Sequence, residues 1–165
     1  MEFPYRVATL IYCFNTGGDA LLMQRKKQPN QGLWSPCGGK LNTAHGESPH
    51  MCALRETREE LGISATPADF HLIGIISEHG YANEANWLIF LFKYLPWLTE
   101  IPSPIEEGTF GFFSRSEIKY LALPESDRNQ IWPLFWKYRN GFFIAHCECS
   151  PTGDQWTLEQ TSGDS

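Results

Sequence analysis

The sequence predicts a single α/β domain built on a mixed β-sheet. Three observations point there. Apolar, β-prone runs recur from one end of the 165 residues to the other. Two segments, 48–62 and 126–138, carry helix-start and helix-stop chemistry. No internal repeat or composition-shifted linker divides the chain, and its length suits one core. Domain bounds of 1–160 follow, with 161–165 expected as a disordered tail of small and polar residues.

Val7 to Phe14 reads as a buried strand. Asn15 to Asp19 is a turn, and Ala20 to Gln24 a second strand, so the two should form a hairpin. The basic cluster Arg25-Lys26-Lys27 follows. It is either a solvated strand end or a phosphate contact at the mouth of a site. From Pro29 to Gly46 the chain is rich in Gly, Pro and Asn and reads as loop; the Gly38-Gly39 pair suggests backbone that comes close to a ligand.

Ser48 then fits an N-cap, with Pro49 at the first helical position and Gly62 as the stop. Met51, Leu54 and Leu61 form an apolar stripe on this helix, with Ala53 beside it. Strands are expected at Phe70–Ile76, Trp87–Leu95 and Thr109–Phe113, and a Pro-punctuated loop from Pro96 to Gly108. Ser126 to Tyr138 reads as a second helix with Asp127 near its start. Phe142–Cys149 and Gln155–Leu158 read as a closing hairpin.

Composition narrows the function classes. A formal charge of −6 argues against a broad phosphate-backbone footprint, so no DNA or RNA duplex is expected as partner. No apolar run reaches the length of a membrane span, so no membrane partner is expected. The N-terminus lacks the basic start and apolar stretch of a signal peptide, which leads us to expect a cytoplasmic protein. The five scattered cysteines do not form a disulfide framework. Cys147 and Cys149 flank Glu148 beside His146, but the spacing is not that of a zinc knuckle; alternate residues on a strand fit packing better. Nothing in the sequence speaks to oligomeric state.

The run Arg55-Glu56-Thr57-Arg58-Glu59-Glu60 carries the chemistry. Glu56, Glu59 and Glu60 fall at i, i+3 and i+4, which places three carboxylates on one helix face. Alone they repel. A hard divalent cation reverses that, and Mg²⁺ is characteristically held by one or two carboxylates together with substrate phosphates. The face therefore reads as a metal platform for a small phosphorylated substrate. Its bland alternative is a solvated charged face. Gly38-Gly39 upstream and Gly62-Ile63 downstream favour the platform.

From Gly39 onward the chain resembles the Nudix hydrolase signature, Gly-x5-Glu-x7-Arg-Glu-U-x-Glu-Glu-x-Gly-U, where U is bulky and apolar. The match runs through Gly39, Glu47, Arg55-Glu56, Glu59-Glu60, Gly62 and Ile63, with Thr57 in an apolar slot. One departure is the spacing. Seven residues separate Gly39 from Glu47 where the family has five, and the extra pair falls within Asn42-Thr43-Ala44-His45, so the loop should bulge there. Gly32-Leu33-Trp34, Cys37-Gly38-Gly39-Lys40, Asp127, Trp132-Pro133-Leu134 and Gly141-Phe142-Phe143 further resemble the MutT-type 8-oxo-dGTP diphosphatases.

The resemblance implies an α/β/α sandwich and metal-dependent hydrolysis of a nucleoside diphosphate-linked substrate, with Mg²⁺ or Mn²⁺. It implies a metal site of the Gly38 carbonyl, Glu56, Glu59 and Glu60, with Glu106 as the further carboxylate from a loop and Glu107 next to it. Arg55 would orient the carboxylates through Glu47, a contact that also fits a structural ion pair. Glu56 is the favoured base, with Glu59 and the Glu106 loop as rivals. Substrate contacts are expected at Arg25, Trp34, Ser35, Gly39, Lys40 and Asp127. Trp34 could serve the core or stack on a base. Asp127 could cap its helix or read a purine. Ser35 stands where relatives that read 8-oxo-guanine often carry Asn, and a hydroxyl lacks the amide's paired donor and acceptor. An oxidised purine triphosphate, cleaved to monophosphate and pyrophosphate, is the leading expectation. A nucleoside diphosphate sugar or ADP-ribose, or a nucleotide-sensing module without turnover, are the alternatives. Trp87, Trp132 and Trp136 are expected to serve packing.

Overall fold

A computed structural model describes residues 2–163. Among these, two sheets form. The larger has six strands in the order β4-β1-β6-β5-β8-β9, drawn from β1 (Tyr5–Tyr12), β4 (Cys37–Lys40), β5 (Phe70–Tyr81), β6 (Ala85–Tyr94), β8 (Phe142–Glu148) and β9 (Gln155–Ser162). The smaller is β3-β2-β7, from β2 (Ala20–Arg25), β3 (Trp34–Ser35) and β7 (Gly108–Phe113). The larger sheet is mixed: β1 runs parallel to β6 and β5 parallel to β8, while the other pairings are antiparallel.

Alternation along β1 divides the interior into two layers. Ile11 and Cys13 pack with Ala53 of helix α1 (Pro49–Leu61), Phe92 and Phe110. Tyr12 and Phe14 face the other way, onto Trp132 and Phe135 of helix α3 (Trp132–Tyr138), with Phe143 and Ile73. The period of two that sends successive side chains to opposite faces thus gives helix, sheet, helix, the expected α/β/α sandwich. A short helix α2 (Arg115–Ile118) follows β7 and was not anticipated. No helix among the described residues is long and apolar enough to cross a membrane.

The expected hairpin between the first two long strands does not form. β1 already has β4 on one edge and β6 on the other, so β2 has no free edge to join and leaves for the second sheet. A bridge from Phe14 to Ala20 is what remains of the pairing. The expected 161–165 tail is ordered where it is described. Thr161 and Ser162 continue β9 opposite Phe143 and Phe142, and Asp164 and Ser165 lie outside the described residues. The second helix begins as a π turn over Asp127–Ile131, where Trp132 N–H reaches the Asp127 carbonyl. Pro133 has no N–H to continue a regular i→i−4 ladder back through this turn.

Helix α1 starts and stops as its residues dictate. Ser48 Oγ accepts the Met51 N–H at 3.1 Å, and Gly62 adopts a left-handed φ of 69°. Of the apolar stripe that Met51, Leu54 and Leu61 suggest, Leu54 and Leu61 pack on the core, but Met51 does not. Met51 is 56% exposed, and the buried residues are Cys52, Ala53, Thr57 and Glu60. The reason is the partner: β4 offers Gly38 and Gly39, so the helix lies close to bare backbone, where small residues and reaching carboxylates fit. Thr57 is fully buried and its hydroxyl has no hydrogen-bond partner among the described residues.

Candidate active site

The site is where α1 crosses β4. Gly38 has φ 140°, and a side chain there would strike the Thr9 carbonyl of β1, its neighbour across the ladder. A side chain on Gly39 would collide with the carboxylate of Glu56. The glycine pair therefore keeps the helix carboxylates against the strand backbone. Gly38 N–H donates to Glu60 Oε1 at 2.9 Å.

Glu56 and Glu60 share this crevice, one turn apart. Burial, opposed by the Gly38 N–H, pushes Glu60 up to about 8, and the neighbouring charges of Glu56 and Glu107 add to the rise. Burial also raises Glu56, against the lowering effect of hydrogen bonding to Glu60 and of Arg55. Glu59 is exposed at the rim.

Arg55 ties the cluster from its open side. Its Nε and Nη2 grip the two oxygens of Glu47 at 2.8 and 2.9 Å, and Nη1 reaches Glu56 at 2.9 Å and Glu59 at 3.3 Å. Nη2 also donates to the Lys40 carbonyl at the end of β4, so one guanidinium links helix, strand and loop. The Arg55 hydrogen bonds hold Glu47 down to about 2. The lengthened loop closes with Glu47 held on Arg55. Thr43–His45 form a 3-10 turn, and Asn42 N–H donates to Glu47 Oε1 at 3.0 Å.

The remaining expected residues are distributed unevenly. Glu106 does not face the cluster: it is 79% exposed and paired with Lys27 at 2.7 Å. Its neighbour Glu107 is the one whose charge reaches Glu60. Both loop carboxylates are exposed, and Glu106 is the one held by Lys27. Arg25 donates from Nε to the Pro29 carbonyl at 2.6 Å and so braces its own loop. Trp34 sets its edge on Phe113, with ring centroids 4.8 Å apart, and packs at the margin of the α3-side core. Ser35 is half-buried in the short ladder opposite Met23. Lys40 is exposed, with its ammonium 5.7 Å above the Trp87 ring. Trp132 is buried, and Trp136 packs against the same core.

Asp127 is half-buried in the π turn, and its side chain caps nothing. Burial pushes it up to about 7. Its charge is felt by Glu78 of β5, which burial likewise raises to about 7 with help from the charges of Asp127 and Asp154. Glu78 carries no local motif and was not singled out by the sequence. A carboxylate just after the apolar run Leu72-Ile73-Gly74-Ile75-Ile76 of the same strand is the signal that could have flagged it.

Comparison with known proteins agrees with this fold. A MutT protein from Bacillus halodurans superposes with a TM-score of 0.72 at 23% identity, covering 93% of this chain and 97% of that one. The ORF135 protein of E. coli gives 0.65 at 23%, covering 83% and 92%. The NUDIX domain of Shewanella oneidensis NrtR, solved with ADP ribose, gives 0.62 at 15%, covering 81% and 86%. A CTP pyrophosphohydrolase of Escherichia coli is 46% identical over 54 residues, 32% of this chain; the match spans 38% of that protein's length. Residues 4–133 match the NUDIX domain family, and with its glutamate helix laid on a paired-glycine strand the chain belongs to that family.

Proposed function

We propose that the protein is a metal-dependent Nudix pyrophosphohydrolase acting on a nucleoside diphosphate-linked substrate, foremost an oxidised purine nucleoside triphosphate, which it cleaves to monophosphate and pyrophosphate. The observation that carries this reading is the crevice in which Glu56 and Glu60 are pressed together against Gly38-Gly39 and braced by Arg55.

The donor set suits Mg²⁺ or Mn²⁺. All the side-chain donors are carboxylate oxygens, the ligands hard cations take, and two of them are crowded enough to retain a proton that a cation would displace. The Gly38 carbonyl, Glu56, Glu59 and Glu60 would hold the ion, with Glu107 in place of Glu106 as the loop carboxylate. A bound divalent ion makes water more acidic and offsets charge on the leaving phosphate. Glu56 is then the base that takes the proton from the attacking water, and Arg55 keeps its carboxylate aimed. Lys40 at the strand end and the Arg25-Lys26-Lys27 loop supply positive charge for phosphate. Trp34 walls the base.

The test is hydrolysis by purified protein with Mg²⁺ across a nucleotide panel. Pyrophosphate release from 8-oxo-dGTP, above that from dGTP or CTP, supports the leading reading. CTP belongs in the panel because of the relative's specificity. A sugar phosphate or AMP released from a nucleoside diphosphate sugar or ADP-ribose supports the alternative. Tight nucleotide binding with no turnover under any divalent metal would overturn the enzymatic reading in favour of a sensing module.

A further inference from the structure

On the face of the large sheet opposite α1, three side chains converge that the hydrolytic site does not use. Glu78 on β5 and Cys147 on β8 are register partners across the parallel ladder. Cys149 lies two residues beyond Cys147, so its side chain falls on the same side. One ligand atom from each lies within 4.8 Å of the others. The two sulfurs are 3.6 Å apart.

We propose that Glu78, Cys147 and Cys149 form a second cation site, selective for a thiophilic divalent ion such as Zn²⁺. The spacing is the first argument. Zinc–sulfur bonds of about 2.3 Å in a tetrahedron set the sulfurs about 3.8 Å apart, close to the separation found here without an ion. The second argument is Glu78 itself. It is 7% exposed, and its carboxylate lies within 4.8 Å of both sulfurs. Burying a carboxylate is costly, and a cation that two adjacent thiols help to hold offsets that cost. The third is the donor chemistry: two soft sulfurs and one oxygen select zinc over magnesium, the reverse of the all-oxygen crevice on α1. Asp154, in the turn between β8 and β9, adds negative charge felt by Glu78 and both cysteines. Three protein donors leave one tetrahedral position for water.

His146, which sequence proximity would nominate as a ligand, is engaged elsewhere. Its Nδ1 bonds Ser77 Oγ at 2.6 Å and its Nε2 bonds Glu148 at 3.0 Å. The third ligand instead comes from a strand sixty-nine positions earlier than Cys147. No spacing rule could have found it.

The test uses the full chain, reduced and stripped with chelator, in excess Mg²⁺ so that the α1 carboxylates are occupied. Co²⁺ is titrated as a spectroscopic probe, then displaced with Zn²⁺. We expect one equivalent to bind with a near-ultraviolet thiolate-to-cobalt band that zinc removes. Binding should release protons, since burial raises both thiols and they must ionise to coordinate. Cys147 is fully buried, so the diagnostic variant is Cys149→Ser, at a half-buried position. It should diminish the band and weaken zinc binding by about tenfold or more, while Glu78→Gln keeps the band and also weakens binding. Hydrolysis with Mg²⁺ should be unchanged in Cys149→Ser, which separates this site from the hydrolytic one. Absence of a thiolate band in the wild-type chain, or an unaltered band and affinity in Cys149→Ser, overturns the proposal.

Discussion

Arg55 grips Glu47 through two parallel hydrogen bonds, Nε to Oε2 at 2.8 Å and Nη2 to Oε1 at 2.9 Å. The same guanidinium also holds Glu56 and the end of β4, so the fork sets the position of three elements. A lysine has a single ammonium and cannot reproduce it. Arg55→Lys should therefore fold but lower kcat by about 10²-fold, with a much smaller effect on KM, because Glu56 is misplaced rather than removed. Steady-state kinetics decide it. An unchanged kcat would mean the fork is only a structural pair.

Glu60→Gln isolates charge from shape. The amide oxygen can still accept the Gly38 N–H, but the negative charge is gone. Activity should fall by about 10²–10³-fold. In chelator the variant should melt no lower than wild type, because repulsion with Glu56 is relieved. The rise in melting temperature that Mg²⁺ gives by binding the folded state should shrink. Differential scanning with and without Mg²⁺ reads both. A magnesium-induced rise equal to that of wild type would reject the metal assignment.

Legibility followed the range of the physics involved. Ser48, Pro49 and Gly62 act within one turn, so the ends of α1 could be placed from local chemistry alone. The glutamate face and the glycine pair were also readable, since a helical repeat and a short motif carry them. Pairing between strands is not local: β2 reads as the partner of β1, yet the edges of β1 were already taken by β4 and β6. On α1, Ala53, Leu54 and Leu61 pack on the core as their spacing suggests, whereas Met51 is exposed and Thr57 and Glu60 are buried, because the helix meets the bare backbone of Gly38 and Gly39. The pairing of Glu106 with Lys27, seventy-nine positions away, is equally non-local. Glu78 and its two cysteines meet only through the β5–β8 ladder.

The two glycines of β4 should fail differently when replaced. In Gly39→Ala the new methyl meets the end of the Glu56 side chain, which can swing away. Activity should drop at least tenfold while the fold survives. In Gly38→Ala the methyl meets the Thr9 carbonyl, and the backbone is held at φ 140°. That conflict cannot relax without opening the β1–β4 ladder, so a loss of about 1–3 kcal/mol is expected. Urea titration with parallel assays distinguishes the two. Equal stability losses would show that Glu56 cannot move aside.

Loop carboxylates adjacent in sequence should contribute unequally. Glu107→Gln removes a charge felt by Glu60 and should lower activity several-fold, most strongly at limiting Mg²⁺. Glu106→Gln breaks an exposed pair with Lys27 and should leave both activity and stability within error. A metal titration of activity for the two variants checks this. The reverse ranking would return Glu106 to the site.

Asp127 should give stability an unusual pH slope. Burial raises its carboxyl from an ordinary 3.8 to about 7, so the folded state binds more protons than the unfolded state between those values. Stability must then fall as pH rises through that window and level off above it. This is opposite in sign to a carboxylate held by a salt bridge, such as Glu47. Asp127→Asn removes the ionisation. It should be more stable than wild type at pH 8 by about 1–3 kcal/mol and nearly equal to it at pH 4. The slope should shrink rather than vanish, because Glu78 titrates near 7 as well and contributes with the same sign. Losing Asp127's charge should also make Glu78 easier to ionise. Urea midpoints across pH 4–8 provide the measurement. A variant that loses stability at pH 8 would mean the ionised Asp127 is held by a favourable contact.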